Sequence, residues 1–115
     1  MPHVIIEHAA DIASTEQMQT LCDALFARLA AHPAIPQANT LKLRCVPVTA
    51  YRLGTAGQSF AHATLLLLPG RDSDTKSDLA QTTLRELEAH LPDVSSLSVN
   101  LADLDASYAK RVLPD

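Results

Sequence analysis

The sequence predicts an α+β fold in which two β-α-β units form a four-stranded mixed sheet with both helices on one face. Strand-like and helix-like segments follow one another in the order strand, helix, strand, strand, helix, strand. Each half has about the length of one β-α-β crossover. No linker, low-complexity tract or charge run divides the 115 residues. We therefore expect one domain over residues 1–115, with a peripheral tail after about residue 102.

The first half begins with a strand over residues 2–7, followed by an amphipathic helix. A capping box starts the helix, with Ser14 at the N-cap and Gln17 three residues later. Apolar residues then recur at helical spacing and form one stripe. The stripe consists of Met18, Leu21, Cys22, Leu25, Phe26 and Leu29. Pro33 ends this helix, and an alternating strand follows over residues 41–53.

The second half begins with a long strand over residues 60–68, which is closed by Pro69 and Gly70. Ser73 and Asp74 are the expected caps of a second helix. Its apolar stripe consists of Leu79, Leu84, Leu87 and Leu91. A weaker strand is expected over residues 94–101. Four residues are expected to anchor the polar tail: Leu104, Tyr108, Val112 and Leu113.

The strand over residues 60–68 is apolar on both faces, which is typical of a strand buried on both sides. One face carries Ala61, Ala63, Leu65 and Leu67, and the other carries Thr64, Leu66 and Leu68. The two predicted helices cover one face only, and the chain offers no third layer. We therefore expect a second copy of the chain to cover the other face, as in a homo-oligomer.

Composition argues against several classes of protein. Nine Lys and Arg against 13 Asp and Glu give a net charge of −4, and Trp is absent, so a nucleic-acid interface is not expected. No apolar run approaches the roughly 20 residues of a membrane span, and the N-terminus does not resemble a signal peptide. Two cysteines do not make a disulfide framework. These features favour a reduced, cytoplasmic protein.

Pro2 is the first residue with candidate chemistry. Methionine is usually trimmed before a small residue, and here that would leave an N-terminal secondary amine. An α-amino group titrates near 7.7–8.0, and burial or nearby cations would lower its pKa towards the range in which a general base works best. The alternative is that Pro2 merely begins the chain.

The second chemical feature is a group of cations in an acidic protein. Lys42, Arg44 and Arg52 lie in one segment, and Arg71 follows the Pro69–Gly70 turn. Arginine grips carboxylates with two hydrogen bonds, so the group could bind an acidic substrate. The alternative interpretation is an ordinary surface charge pattern.

Histidine and cysteine spacing does not predict a metal site. The five histidines are His3, His8, His32, His62 and His90. His3 and His62 lie on predicted strands, where they could line a site or be purely structural. Cys22 and Cys45 both fall on core-facing positions.

Four segments together resemble the 5-carboxymethyl-2-hydroxymuconate Δ-isomerase family of the tautomerase superfamily. They are the opening MPHVIIE, LKLRC, FAHATLLL and the PGR turn. The resemblance runs from Met1 to about Leu101. It implies a homotrimer and isomerisation of a small anionic substrate without a cofactor, with Pro2 as the base. It also implies that Arg44 and Arg71 bind substrate carboxylates, with Lys42 and Arg52 as lesser contributors.

Two positions depart from the pattern expected of this family. Lys42 stands where close relatives are expected to carry arginine, and Tyr51 stands where tryptophan is expected. These changes favour a diverged relative that acts on another small acid. Two alternatives remain at this stage. One is a hydratase, decarboxylase or dehalogenase of the same fold, and the other is a non-catalytic trimeric binding or structural protein.

Overall fold

The computed structural model describes residues 2–114, which form one sheet, two long helices and a short 3-10 turn. In chain order the elements are β1 His3–Ala9, α1 Thr15–Ala30, the 3-10 turn Ala38–Thr40, β2 Lys42–Val48, β3 Phe60–Leu67, α2 Ser73–His90 and β4 Ser96–Asp103. The observed order of elements is the predicted one.

The sheet has the strand order β2-β1-β3-β4. β1 runs parallel to β2, β3 runs parallel to β4, and β1 pairs antiparallel with β3. Each β-α-β unit thus contributes one parallel pair, and the central antiparallel pair joins the two units. The predicted mixed, four-stranded sheet is confirmed.

The core lies between the sheet and the two helices. Alternate residues of β1 and β3 point towards the helices, as the two-residue period of a strand requires. The fully buried members are Val4, Ile6, Ala61, Ala63, Leu65 and Leu67, and the helices add Leu21, Leu25, Leu29, Leu79 and Leu87. Burial of each large side chain of this kind contributes about 1.5–3 kcal/mol to folding. Both helices therefore pack on one face, as predicted.

The first helix confirms its predicted cap. The Gln17 amide donates to Ser14 Oγ at 3.1 Å, and the Ser14 amide donates to the Gln17 side chain at 2.7 Å. One stripe residue is misplaced, because Phe26 is 42% exposed on the flank of α1. Cys22 is half-buried.

The predicted cap of α2 is wrong. The N-cap is Asp72, whose carboxylate accepts the Thr75 amide hydrogen at 2.8 Å. Several residues that make good N-caps follow one another here, and the position of the first helical residue decides which of them is the N-cap. Thr83 is completely buried on this helix, whereas the predicted Leu84 is only half-buried.

Strand boundaries also differ from prediction: β1 covers His3–Ala9 rather than residues 2–7, and β3 ends at Leu67 rather than residue 68. β2 ends at Val48 rather than residue 53, because its partner β1 ends at Ala9 and the ladder stops there. β4 begins and ends two residues later than predicted, at Ser96 and Asp103, in register with β3. The length over which neighbouring strands pair sets the end of β2 and both ends of β4, and the local sequence pattern does not encode that length.

The tail is anchored by fewer residues than predicted. Val112 and Leu113 are 67% and 68% exposed, so they do not anchor it within this chain. Leu104 continues the sheet by donating its amide hydrogen to the Leu67 carbonyl at 2.6 Å, and Tyr108 contacts His3. Within residues 2–114, no helix is both long and apolar enough to cross a membrane.

The sheet face opposite the helices, here called the open face, has two chemically different parts. The side chains of Ile5, Thr64 and Leu66 form an apolar strip along the centre. Lys42 and Arg44 lie beside this strip on the edge strand β2, in register with His3 and Ile5. This open face is the one for which the sequence predicts a covering copy.

Candidate active site

Pro2 immediately precedes β1 and is buried. Its carbonyl accepts the Lys42 amide hydrogen at 3.0 Å, so the pairing of β1 with β2 already fixes the residue. Side chains alternate along a strand, and this places Pro2 on the same side as Val4, facing the helices. The ring is therefore held rigidly at one end of the sheet.

A depression of about 160 Å³ opens beside Pro2. Ile35 and Pro36, from the segment after α1, and Leu68, just after β3, supply apolar walls. Gln37, Thr40 and Arg71 supply the polar groups. An apolar hollow with a few converging polar groups is the usual form of a small-molecule site.

Arg71 is held in place by two main-chain carbonyl groups. Its Nε and Nη2 atoms donate to the Ala34 carbonyl at 3.1 and 2.8 Å, and Nη1 donates to the Leu68 carbonyl at 3.0 Å. A guanidinium has five N–H groups, so these three contacts leave two available. No carboxylate of residues 2–114 forms an ion pair with Arg71. Arg71 thus offers a positioned, uncompensated positive charge at the depression.

His3, Arg44 and Tyr108 form a second cluster at the same end of the sheet, on the open face. His3 Nδ1 lies 3.2 Å from Arg44 Nη1, and His3 Nε2 lies 2.9 Å from the Tyr108 hydroxyl. Burial lowers the pKa of His3 below 6.5, and the nearby charges of Arg44 and Lys42 lower it further. These surroundings favour the neutral form of His3, while the side chains of Arg44 and Lys42 stay exposed.

The remaining predicted site residues lie elsewhere in the chain. Tyr51 and Arg52 belong to the loop after β2, at the opposite end of the sheet from Pro2, and Tyr51 packs edge-on against Phe60 with ring centres 5.1 Å apart. His62 lies on β3 with its Nδ1 atom 2.7 Å from Ser98 Oγ. Within one chain, these three residues do not meet Pro2.

The structure thus sorts the predicted site residues into three groups. Pro2 and Arg71 share one depression, while His3, Lys42 and Arg44 cluster at the same end of the sheet on its other face. Tyr51, Arg52 and His62 stand apart. In residues 2–114, no group of three or more His, Cys, Asp or Glu side chains could hold a metal ion.

Sequence reasoning missed the apolar walls Ile35, Pro36 and Leu68, and it also missed three residues with polar groups at this end of the sheet. Gln37 and Thr40 line the depression, and Tyr108 completes the His3 cluster. Tyr108 was expected only to anchor the tail. Its position as the single aromatic residue after β4 was the available signal, but its partner lies 105 residues away in the sequence.

A family model described as 5-carboxymethyl-2-hydroxymuconate isomerase matches residues 2–110. The chain belongs to this family. The match spans all the site residues described above, and it confirms the resemblance drawn from the opening MPHVIIE. No curated protein matches the chain.

Solved structures share the fold of this 5-carboxymethyl-2-hydroxymuconate isomerase family member. A 5-carboxymethyl-2-hydroxymuconate isomerase from Deinococcus radiodurans R1 superposes with a TM-score of 0.81 at 21% identity, covering 96% of this chain and 88% of that one. Pt0534 inactivated by 2-oxo-3-pentynoate gives a TM-score of 0.74 at 15% identity, covering 89% and 85%. A fused 4-OT wild-type symmetric trimer gives 0.72 at 18% identity, also covering 89% and 85%.

Proposed function

We propose that this protein is an isomerase that needs no cofactor and moves a proton on a small unsaturated 2-hydroxy or 2-oxo carboxylic acid, with the Pro2 nitrogen as the base. The observation that carries the proposal is the depression lined by both Pro2 and Arg71, which brings a candidate base and an uncompensated guanidinium to one hollow. Membership in the isomerase family supports the same chemistry.

The environment of Pro2 suits a base that works near neutral pH. Removal of Met1 turns the Pro2 nitrogen from an amide into a secondary amine, and α-amino groups titrate near 7.7–8.0. Apolar surroundings disfavour a charged amine, so we expect the walls formed by Ile35, Pro36 and Leu68 to favour its unprotonated form. A substantial fraction is then unprotonated at the operating pH.

Arg71 is the proposed anchor for a substrate carboxylate. The Ala34 and Leu68 carbonyls already hold its side chain, so binding costs little further ordering of that side chain. The two remaining N–H groups can donate to carboxylate oxygens. A carboxylate bound in this way would keep the substrate in the depression that Pro2 lines.

The reaction then consists of two proton transfers. The Pro2 nitrogen accepts a proton from the substrate, and the electron pair left behind delocalises through the double bonds as a dienolate. The prolinium formed in this way returns a proton to a different carbon, so the double bond shifts and the base is regenerated. Stabilisation of the developing negative charge requires preorganised cations, and Arg71 supplies one of them.

Arg44 and Lys42 are proposed as further substrate-binding cations. They lie on the edge strand at the same end of the sheet as Pro2, with their side chains on the open face, and they have no ion-pair partner among residues 2–114. Lysine at position 42 keeps the charge but lacks the planar fork of arginine, which favours a substrate that differs from that of close relatives. Arg52, Tyr51 and His62 lie far from Pro2 within the chain, so they would reach a site only on a neighbouring subunit.

We also propose that the protein works as a homotrimer whose open faces pack inward. No residue among 2–114 forms a layer over the half-buried apolar strip of Ile5, Thr64 and Leu66, and uncovered apolar patches mark interfaces. The structural similarity to a 4-OT symmetric trimer supports threefold assembly.

The experiment that tests the proposed activity follows the ketonisation of 2-hydroxymuconate by ultraviolet absorbance. The protein is first checked by intact mass for removal of Met1, and the Pro2→Ala variant is measured beside it. The variant keeps an N-terminal α-amine but loses the ring that fixes it. General-base catalysis contributes about 10²–10⁴-fold, so kcat should fall by part of that factor in the variant. Equal rates in both proteins would show that catalysis does not need the proline ring. Binding of the dianion without turnover by either protein would favour the non-catalytic alternative.

A further inference from the structure

The two cysteines of the chain, Cys22 on α1 and Cys45 on β2, lie against each other. Their Sγ atoms are 3.3 Å apart, and both thiols are free and half-buried. A separate depression of about 280 Å³ is lined by both residues, so small molecules in solution can reach the sulfur atoms. Neither residue lines the depression beside Pro2.

The geometry is close to that of a disulfide without being one. A disulfide bond is about 2.05 Å long, so the sulfurs need to approach by roughly 1.2 Å from their separation of 3.3 Å. The two residues belong to different elements, and the chain between them includes half of α1 and the following loop. The fold therefore brings together two thiols that are 23 positions apart in the sequence.

The pair is also chemically asymmetric. The hydrogen bond between the two thiols lowers the pKa of Cys22, although burial and the charge of Asp23 oppose this. The same hydrogen bond and burial raise the pKa of Cys45. Cys22 is thus the thiol that ionises first, and thiolates are the form that peroxides oxidise.

We propose that Cys22 and Cys45 form a modification site at which a hydroperoxide converts two neighbouring thiols into an intrachain disulfide. The Cys22 thiolate attacks the peroxide, an S–O bond forms and the O–O bond breaks, and the peroxide leaves as an alcohol or water after taking up a proton. The Cys45 sulfur then attacks the Cys22 sulfenic acid. An S–S bond forms, the S–O bond breaks, and the hydroxyl leaves as water with the Cys45 proton.

The site is independent of the proposed isomerase chemistry, since it uses neither Pro2 nor Arg71. Its disulfide joins α1 to the edge strand β2 and lies directly after Arg44. Any small thiol, such as reduced glutathione, can restore the pair by thiol–disulfide exchange.

The test treats the reduced, full-length protein with one equivalent of hydrogen peroxide and then caps the remaining thiols with N-ethylmaleimide. Intact mass should show the loss of two hydrogen atoms and no maleimide adduct. Trypsin should then release one cross-linked species that joins residues 2–28 to residues 45–52, and dithiothreitol should separate the two peptides. Full capping of both thiols, or disulfides between chains only, would overturn the proposal.

Two controls distinguish a thiol pair that the fold positions for oxidation from nonspecific thiol oxidation. Cys45→Ser should leave a persistent Cys22 sulfenic acid that dimedone traps, whereas the native protein should give almost no dimedone adduct. The same peroxide treatment in denaturant should form the disulfide more slowly, by about tenfold or more, because the fold no longer holds the thiols together. Equal rates in native and unfolded protein would contradict the proposal.

Discussion

The Nδ1 atom of His3 lies 3.2 Å from Nη1 of Arg44, and this contact decides which ring nitrogen carries the proton. A guanidinium only donates hydrogen bonds, so Nδ1 must accept. The proton of the neutral ring therefore sits on Nε2, which donates to the Tyr108 hydroxyl at 2.9 Å. One imidazole thus links the start of β1 to the edge strand and to the tail.

This arrangement predicts that His3 titrates below its ordinary pKa of 6.5. Burial is the largest cause, followed by the charges of Arg44 and Lys42. Arg44→Gln should therefore raise the pKa of His3 only in part. Arg28→Gln, which removes an exposed arginine paired with Glu86 on the helices, should leave it unchanged. NMR titration of the histidine ring signals gives the pKa of His3 in the wild type and in the two variants.

The same shift gives the stability a defined pH dependence. Because the pKa of His3 is lower in the folded state than in the unfolded chain, the unfolded state binds more protons between the two values. The contribution of His3 is therefore fully present above about pH 6.5 and is lost as the pH falls towards the folded pKa. His3→Gln should weaken this acid-side decline in denaturation experiments at fixed protein concentration. Parallel curves for the two proteins would contradict it.

Tyr108→Phe should loosen the tail without disturbing the sheet. The substitution removes the only acceptor of the His3 Nε2 proton among residues 2–114 and costs about 0.5–1.5 kcal/mol, as for other hydrogen bonds. Hydrogen exchange should increase over residues 104–114. Tyr51→Phe is a matched control, because that ring packs against Phe60 at the other end of the sheet. A tail equally protected in both variants would show that the hydroxyl contact is unimportant.

Arg71→Lys should raise KM by a larger factor than it lowers kcat. Lysine retains the charge but cannot donate to the Ala34 and Leu68 carbonyls while also presenting a planar edge to a carboxylate. We expect KM to rise by about 10–100-fold, which corresponds to the loss of one charged hydrogen-bond pair. Steady-state kinetics against wild type tests this. Lys76→Arg, which alters an ion pair with Asp103 on β4, serves as a control and should change neither constant.

A charge in the apolar strip should dissociate the proposed trimer. Leu66→Glu places a carboxylate beside Ile5 and Thr64 on the open face, where burial against another subunit would be costly. Sedimentation equilibrium should show trimers for wild type and smaller species for the variant. Gln81→Glu adds the same charge to an exposed position on α2 and should leave the assembly intact. Identical masses for all three proteins would argue against this face as the interface.

The order of elements and the core could be predicted because they follow from local periodicity. Spacing alone identified Leu21, Leu25 and Leu29 as core residues of α1. What failed depended on partners distant in sequence. β2 ends where β1 ends, and Phe26 is exposed because the stripe is wider than the surface that covers it.

The candidate site also has features that could be predicted from the sequence and features that depend on distant partners. Pro2 and Arg71 could be predicted as site residues from their residue types and from the family resemblance. Their convergence depends on how the segments after α1 and β3 come together, since Arg71 is held by the Ala34 carbonyl, 37 residues earlier. The His3 contact with Tyr108 joins opposite ends of the chain. Neither relationship leaves a periodic signal in the sequence.

The proposed mechanism requires the Pro2 nitrogen to be a reactive, unprotonated amine near neutral pH. The most direct measurement is its labelling by 2-oxo-3-pentynoate as a function of pH, followed by intact mass and fragment-ion mapping. The amine adds to the alkyne carbon distal to the ketone, so the whole reagent is retained. We predict one adduct per chain on Pro2, with a half-maximal rate below the ordinary α-amino range of about 7.7–8.0. Molecules that retain Met1 should stay unlabelled. Adducts confined to Cys22 or Cys45, or a rate that rises only above that range, would contradict the role of Pro2 as the base.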